Sequence, residues 1–126
     1  MNNIYPKIME SAGIIFGTPV YWYGPTALMK GFLDRFVYFN CPENREHIKG
    51  KPALLAVPCE EADPAAAALV KAMFEKSLGY LEMDLIGSII VPGVTRKGEI
   101  IKKQGLLEEA YNLGIRLARS VKQASP

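Results

Sequence analysis

Stretches in which apolar residues recur at helical spacing alternate with short runs that are apolar throughout, and the switch between the two rhythms divides the chain. Ile4 and Ile8 share one face of a helix expected over Ile4–Glu10, with Asn3 as its N-cap and Pro6 tolerated in the first turn. Gly13-Ile14-Ile15-Phe16-Gly17 is uninterrupted and punctuated at both ends, the pattern of a strand buried on both faces. A helical pattern then runs from Thr26 to Phe39, placing Leu28, Phe32, Phe36 and Phe39 on one broad face. Pro42 ends it, and the polar stretch Glu43–Lys51 leads into a second strand-like run, Ala53–Val57. Asp63 followed by Pro64 is the order favoured at a helix start, and Leu69, Met73 and Leu81 give that helix an inner side. Leu85–Val91 is the third strand, closed by Pro92-Gly93. After the basic turn Arg96-Lys97-Gly98 a last helix is expected from about Gln104 to Val121, carried by Leu106, Leu107, Ala110, Leu113, Leu117 and Val121.

Helices and strands that alternate in this way imply an α/β fold with parallel pairing through right-handed crossovers. Open parallel sheets bind ligands at the carboxyl ends of their strands, so the loops after the first two strands are the places to look for chemistry. The first, Thr18-Pro19-Val20-Tyr21-Trp22-Tyr23-Gly24-Pro25, carries three consecutive aromatics that make a platform for a flat ligand. The same rings would equally serve to cover the end of a core or to form a subunit contact. The second loop is Pro58-Cys59-Glu60-Glu61.

The continuous segment Gly13-Ile14-Ile15-Phe16-Gly17-Thr18-Pro19-Val20-Tyr21-Trp22-Tyr23-Gly24-Pro25-Thr26-Ala27-Leu28-Met29-Lys30-Gly31-Phe32-Leu33-Asp34-Arg35 resembles the central motif of the flavodoxin-like NAD(P)H-dependent FMN reductases, a group that includes the iron–sulfur flavoproteins. The resemblance continues to the end of the chain. It implies a flavodoxin-like three-layer fold, truncated here to three strands with helices on both faces. It also implies that the Thr-Pro-Val-Tyr loop lies along an isoalloxazine ring. FMN would then be held by Thr18, Pro19, Val20, Tyr21, Trp22, Tyr23 and Gly24, with Pro58, Cys59 and Glu60 approaching from another side. NAD(P)H is the implied substrate, and hydride transfer to the flavin the implied reaction.

The departure from the family is as informative. Members begin with a strand and a Gly/Ser/Thr-rich loop that cradles the FMN phosphate at a helix N-terminus. Residues 1–126 read as one flavodoxin-like domain lacking that N-terminal β-α-β part. In the sheet order the resemblance implies, the missing first strand would pair with Gly13–Gly17, which becomes an apolar edge without a charge to discourage pairing. A homo-oligomer, or a separate chain supplying the missing strands, is therefore expected. Two readings follow: an FMN-binding NAD(P)H-dependent oxidoreductase completed by assembly, or a non-catalytic subunit or interaction module that has lost FMN.

Composition narrows the field further. The 126 residues are 49% hydrophobic and 22% charged, which is ordinary for a globular chain, and the net charge of +2 gives no reason to expect nucleic acid as a partner. No apolar run approaches the ~20 residues of a membrane span. Cys41 and Cys59 form no CxxC pair, and no metal motif is present, so two free thiols in a reducing cytoplasm are expected. His47, the only histidine, falls in a polar loop beside Arg45 and Glu46, and Asp34-Arg35 reads as a solvated or interface ion pair. Arg96, Lys97, Lys102 and Lys103 form a basic cluster that would attract the phosphates of a nicotinamide cofactor or remain solvated.

Overall fold

The structure, a computed structural model describing residues 1–124, is built on three parallel strands: β1 (Ile14–Gly17), β2 (Pro52–Pro58) and β3 (Asp84–Val91), in the order β1-β2-β3. The helices are α1 (Tyr5–Glu10), α2 (Ala27–Asp34), α3 (Pro42–Arg45), α4 (Ala68–Tyr80) and α5 (Leu106–Ala124). In register, Ile14 to Gly17 of β1 lie beside Ala53 to Ala56 of β2, and Pro58 of β2 lies beside Val91 of β3. Successive side chains in each strand point to opposite faces, so each face collects its own core. On one face Phe16, Leu55 and Val57 meet Phe36, Phe39, Val70, Phe74 and Leu78 beneath α1, α2 and α4. The ring of Phe16 lies 5.2 Å from that of Phe74 and 6.1 Å from that of Phe36. On the other face Leu54, Ile89 and Val91 pack under Leu113 of α5. A Cβ on Gly87 would stand 2.7 Å from Leu113 Cδ2, so this glycine lets α5 close onto β3.

The alternation of three strands with connecting helices is as the sequence predicts, but several details differ. The expected strand buried on both faces is buried on one. Ile15 lies beside Leu54 in register and so points to the α5 face, yet it is 63% exposed because α5 lies over β2 and β3. The helix expected from Thr26 to Phe39 is α2 followed by a 3-10 stretch, Arg35–Asn40. Phe36 and Phe39, three apart, eclipse in that tighter winding and both enter the core, while Leu28 is exposed. Asp63 caps as expected by accepting from Ala65 N–H, but a 3-10 turn, Pro64–Ala67, precedes α4 and rotates the helix. Its inner residues are therefore Val70, Phe74 and Leu78, with the expected Met73 half-buried against the core and Leu81 buried just past the helix end, whereas Leu69 faces solvent. The cap of α1 is Ile4 without a side-chain bond, so Asn3 does not play that part. In α5, Leu107 and Ala110 lie outside and Leu113 carries the contact with the sheet.

The work of a cap at the other end of α1 falls to a distant lysine. Lys51, buried at the start of β2, donates from Nζ to the carbonyls of Ile8 at 2.6 Å, Met9 at 2.9 Å and Ser11 at 2.5 Å. These are C-terminal carbonyls of α1, where a cation is favoured by the helix dipole and the acceptors lack intrahelical donors. Burial pushes the Lys51 ammonium below its ordinary pKa. The three charge-assisted bonds offset that cost. The hydroxyl of Tyr5 adds a bond to the Arg35 carbonyl at 2.9 Å, and its ring stacks on Tyr38 at 4.2 Å. Replacing Lys51 with methionine keeps the stem and takes this donor from the Met9 and Ser11 carbonyls, leaving the Ile8 carbonyl only the Ser11 hydroxyl, and is expected to cost about 3 kcal/mol in urea unfolding. A loss below about 0.5 kcal/mol would show that the Lys51 bonds do not hold α1.

Candidate functional site

The carboxyl ends of all three strands open on the same side of the sheet, and the hydrogen-bond ladder does not stop where the strands do. Thr18 N–H donates to Ala56 at 3.1 Å and Val20 N–H to Pro58 at 3.3 Å, tying the loop after β1 to the end of β2. Cys59 N–H donates to Val91 at 2.9 Å, Val94 N–H to Cys59 at 2.9 Å and Gly93 N–H to Glu61 at 2.8 Å, tying the loop after β3 to the loop after β2. Three loops are thus held by backbone bonds around a cavity of about 500 Å³. Its walls are Pro19, Val20 and Tyr21 from the first loop, Pro58, Cys59 and Glu60 from the second, and Val94 to Gly98 with Ile100 from the third. A neighbouring hollow of about 300 Å³ shares Val20, Cys59 and Glu60 and extends under Trp22 and Tyr23 to Glu61 and Ala66.

The first loop ends in a tight reversal. Tyr21 and Gly24 exchange both backbone bonds, at 2.8 and 3.0 Å, so Trp22 and Tyr23 are the two central residues of a two-residue turn. Both are left-handed, with φ of 50° and 62°, as a turn of the I′ type requires. Asn-Gly is the usual occupant, and an L residue with a Cβ costs about 1–2 kcal/mol in this region. Here two large aromatics hold it. The turn lifts the indole of Trp22 into solvent at 97% exposure, with Tyr21 at 63% and Tyr23 at 55%. Thr18 anchors the base of the loop: it is buried, accepts from Thr26 N–H at 3.1 Å and donates to the Pro19 carbonyl at 3.1 Å. Thr26 in turn caps α2 by accepting from Met29 N–H at 3.1 Å.

Of the residues expected beside a ring, the structure brings Pro19, Val20, Tyr21, Trp22, Tyr23, Pro58, Cys59 and Glu60 to these two hollows. Thr18 lies beneath the loop, and Gly24 closes the turn. The Cys59 thiol is buried and donates to the Glu61 carbonyl at 3.8 Å. Burial pushes its pKa up, helped by the negative charges of Glu61 and Asp63, so it stays a neutral thiol and not a thiolate nucleophile. The wall from Val94 to Ile100 was not expected to line the ring site, although Arg96 and Lys97 were singled out as part of a basic cluster for nicotinamide phosphates or solvent. The rule that points to the ends of β1 and β2 applies equally to β3 and would have found it. His47 and Cys41 are exposed on the polar connection, and Asp34 pairs with Lys30 of its own helix.

Proline, valine and isoleucine walls with a tyrosine face can enclose a flat ring, and Glu60 places a negative charge beside the neutral Cys59 thiol. The positive charges on this rim are Arg96 and Lys97. Among the described residues no group of three or more His, Cys, Asp or Glu side chains is placed to hold a metal ion, and no helix is long and apolar enough to cross a membrane.

Comparison with known proteins agrees with this architecture. A Bacillus subtilis protein named as an NAD(P)H-dependent FMN-containing oxidoreductase, YwqN, is 26% identical over 117 residues, which cover 89% of this chain and 64% of that protein. The chain thus spans less than two-thirds of that relative. Among solved structures, the Trp repressor binding protein of Bacillus subtilis superposes with a TM-score of 0.80 at 22% identity, over 89% of this chain and 70% of the other. A WrbA-like flavodoxin of Agrobacterium tumefaciens gives 0.76 at 19% identity, over 99% and 75%. The general stress protein 14 of Treponema denticola, solved in complex with FMN, gives 0.66 at 16% identity, over 94% and 72%. These likenesses establish the flavodoxin-like fold. The model of the NADPH-dependent FMN reductases matches residues 1–92, nearly three-quarters of the sequence, and the chain belongs to that family.

Proposed function

We propose that this chain binds the isoalloxazine ring of FMN in the strand-end cavity, between the Thr18–Gly24 and Pro58–Glu61 loops, and serves as an NAD(P)H-dependent oxidoreductase when assembled. The observation that carries this reading is the strained turn at Trp22 and Tyr23. Left-handed aromatics exposed to water stabilise nothing in the free chain, and strain of this sort collects at binding sites. Bound FMN would supply the redox chemistry, accepting hydride from NAD(P)H and passing electrons onward. The protein's part is placement. Tyr21, Pro19 and Val20 offer a flat apolar wall, Thr18 and Thr26 fix the loop from below, and Cys59 contributes a neutral thiol.

Assembly belongs to the same reading. β1 is an edge strand, its Ile15 is bare on the α5 face, and Leu107 and Tyr111 of α5 are exposed as well. A second copy of this chain that pairs along β1 would satisfy the edge and cover Ile15. The alternative reading, a non-catalytic interaction module, is favoured by this same uncovered edge, which is a docking feature whether or not a flavin is present.

Three outcomes follow. Quenching of flavin fluorescence should saturate at micromolar FMN and be lost in Tyr21→Ala; absence of quenching in the parent protein would remove the flavin reading and leave the interaction module. Trp22→Gly relieves the left-handed strain without removing a buried contact, so its melting temperature should equal or exceed the parent's while FMN affinity falls at least tenfold. A variant that binds FMN as well as the parent would show the turn to be incidental. Light scattering should give a mass above the 13.9 kDa of one chain, and Ile15→Lys should reduce it to that value. A monodisperse monomer in the parent would contradict the second-copy assembly.

A further inference from the structure

The loop after β3 is a built wall and not a loose connection. Its first residues are bonded to the loop after β2 through Gly93 and Val94. Its middle is folded around one carboxylate: Glu99 accepts from Thr95 N–H at 2.7 Å, from Arg96 N–H at 2.9 Å and from the Thr95 hydroxyl at 3.2 Å. The backbone donors of Arg96 and Thr95 hold this carboxyl below its ordinary pKa. Glu99 is therefore committed to shaping the loop.

That commitment leaves two adjacent cations on the cavity rim. The side chains of Arg96 and Lys97 are exposed, line the 500 Å³ cavity opposite Pro19 and Tyr21, and take part in none of the ion pairs among the described residues. Lys103 adds a third positive charge to the loop, its Nζ 3.6 Å from where a Cβ on Gly93 would stand. The opposing charges are Glu60 in the cavity lining and the Glu99 carboxylate, which lies against the Arg96 backbone and is attracted to Lys103. Two cations side by side repel each other until an anion sits between them. A phosphate monoester offers several acceptor oxygens to a guanidinium fork and an ammonium point charge together. The opposite wall is the aromatic one. The cavity thus presents a flat-ring face and an anion-accepting face to a single ligand.

We propose that Arg96 and Lys97 form a phosphate subsite of the strand-end cavity, reading the phosphate ester of a nucleotide whose flat ring lies against the Tyr21 wall. This rests on the nucleotide reading of the cavity given above. Two phosphates share this chemistry, that of FMN and the ribose 2′-phosphate that distinguishes NADPH from NADH.

The test compares each phosphorylated ligand with its counterpart on the full chain and on the double variant Arg96→Gln, Lys97→Gln. FMN and riboflavin are titrated by flavin fluorescence, and NADPH and NADH by the amide shifts of residues 94–98. Both substituted side chains are exposed, so the variant should melt with the parent. At least one phosphorylated ligand should bind the parent roughly tenfold more tightly than its counterpart, and the variant should erase that gap without weakening the counterpart. Closure of the FMN–riboflavin gap assigns the subsite to the flavin phosphate, and closure of the NADPH–NADH gap assigns it to the nicotinamide nucleotide. If neither flavin binds but the NADPH–NADH gap closes, the subsite stands and the flavin reading fails. If neither gap closes, whether because it persists in the variant or never existed, the subsite is overturned.

Discussion

The hydrogen-bond ladder centred on β2 is the constraint on which the rest depends. β2 is bonded on both sides, is buried along most of its length, and continues its pairing past its own end. Bonds at Ala56 and Pro58 fix the loop after β1, and bonds at Cys59 and Glu61 fix the loop after β3. The cavity is therefore not a gap between mobile loops. It is the place where three strands, spaced by the ladder, stop being strands.

Position along the chain and position in the site are thereby separated. Tyr21 and Lys97 face the same hollow although most of the core lies between them in sequence. Strain at Trp22 and Tyr23 can persist because Tyr21 and Gly24 are bonded to each other and Thr18 holds the loop's base through Thr26. The stability given up at the turn is offset by the core, whose aromatic cluster includes Phe16, Phe36, Phe39 and Phe74. Lys51 plays a comparable part at the opposite end of the sheet, holding α1 to β2 by its three carbonyl bonds.

Much of this was legible in the residues. The uninterrupted runs at Ile14–Phe16, Ala53–Val57 and Leu85–Val91 mark strands because the chain between them is punctuated by Pro, Gly and charge. The order of elements then fixes parallel pairing. What was not legible came from local winding and from neighbours. Leu69 and Val70 are equally apolar, and only the 3-10 turn ahead of α4, which advances about three residues per turn, decides which of them faces inward. Ile15 reads as a core residue because nothing in a strand's own sequence says whether a helix lies over it. Lys51 reads as a solvated charge because its acceptors lie some forty positions away. At the site, the aromatic loop stood out by composition, whereas Arg96 and Lys97 read as a basic cluster for nicotinamide phosphates or for solvent, and only the fold puts them on the same cavity as Tyr21.

The central claim is that all three strand-end loops act as one binding surface for a flavin nucleotide. Amide chemical shifts of uniformly labelled protein, followed as FMN is added, address all three loops at once. The account predicts perturbations concentrated at residues 20–24, 59–61 and 94–98, with the helices on the far side of the sheet unmoved. Perturbations confined to the outer faces of α2 and α4, or none at saturating flavin, would contradict it.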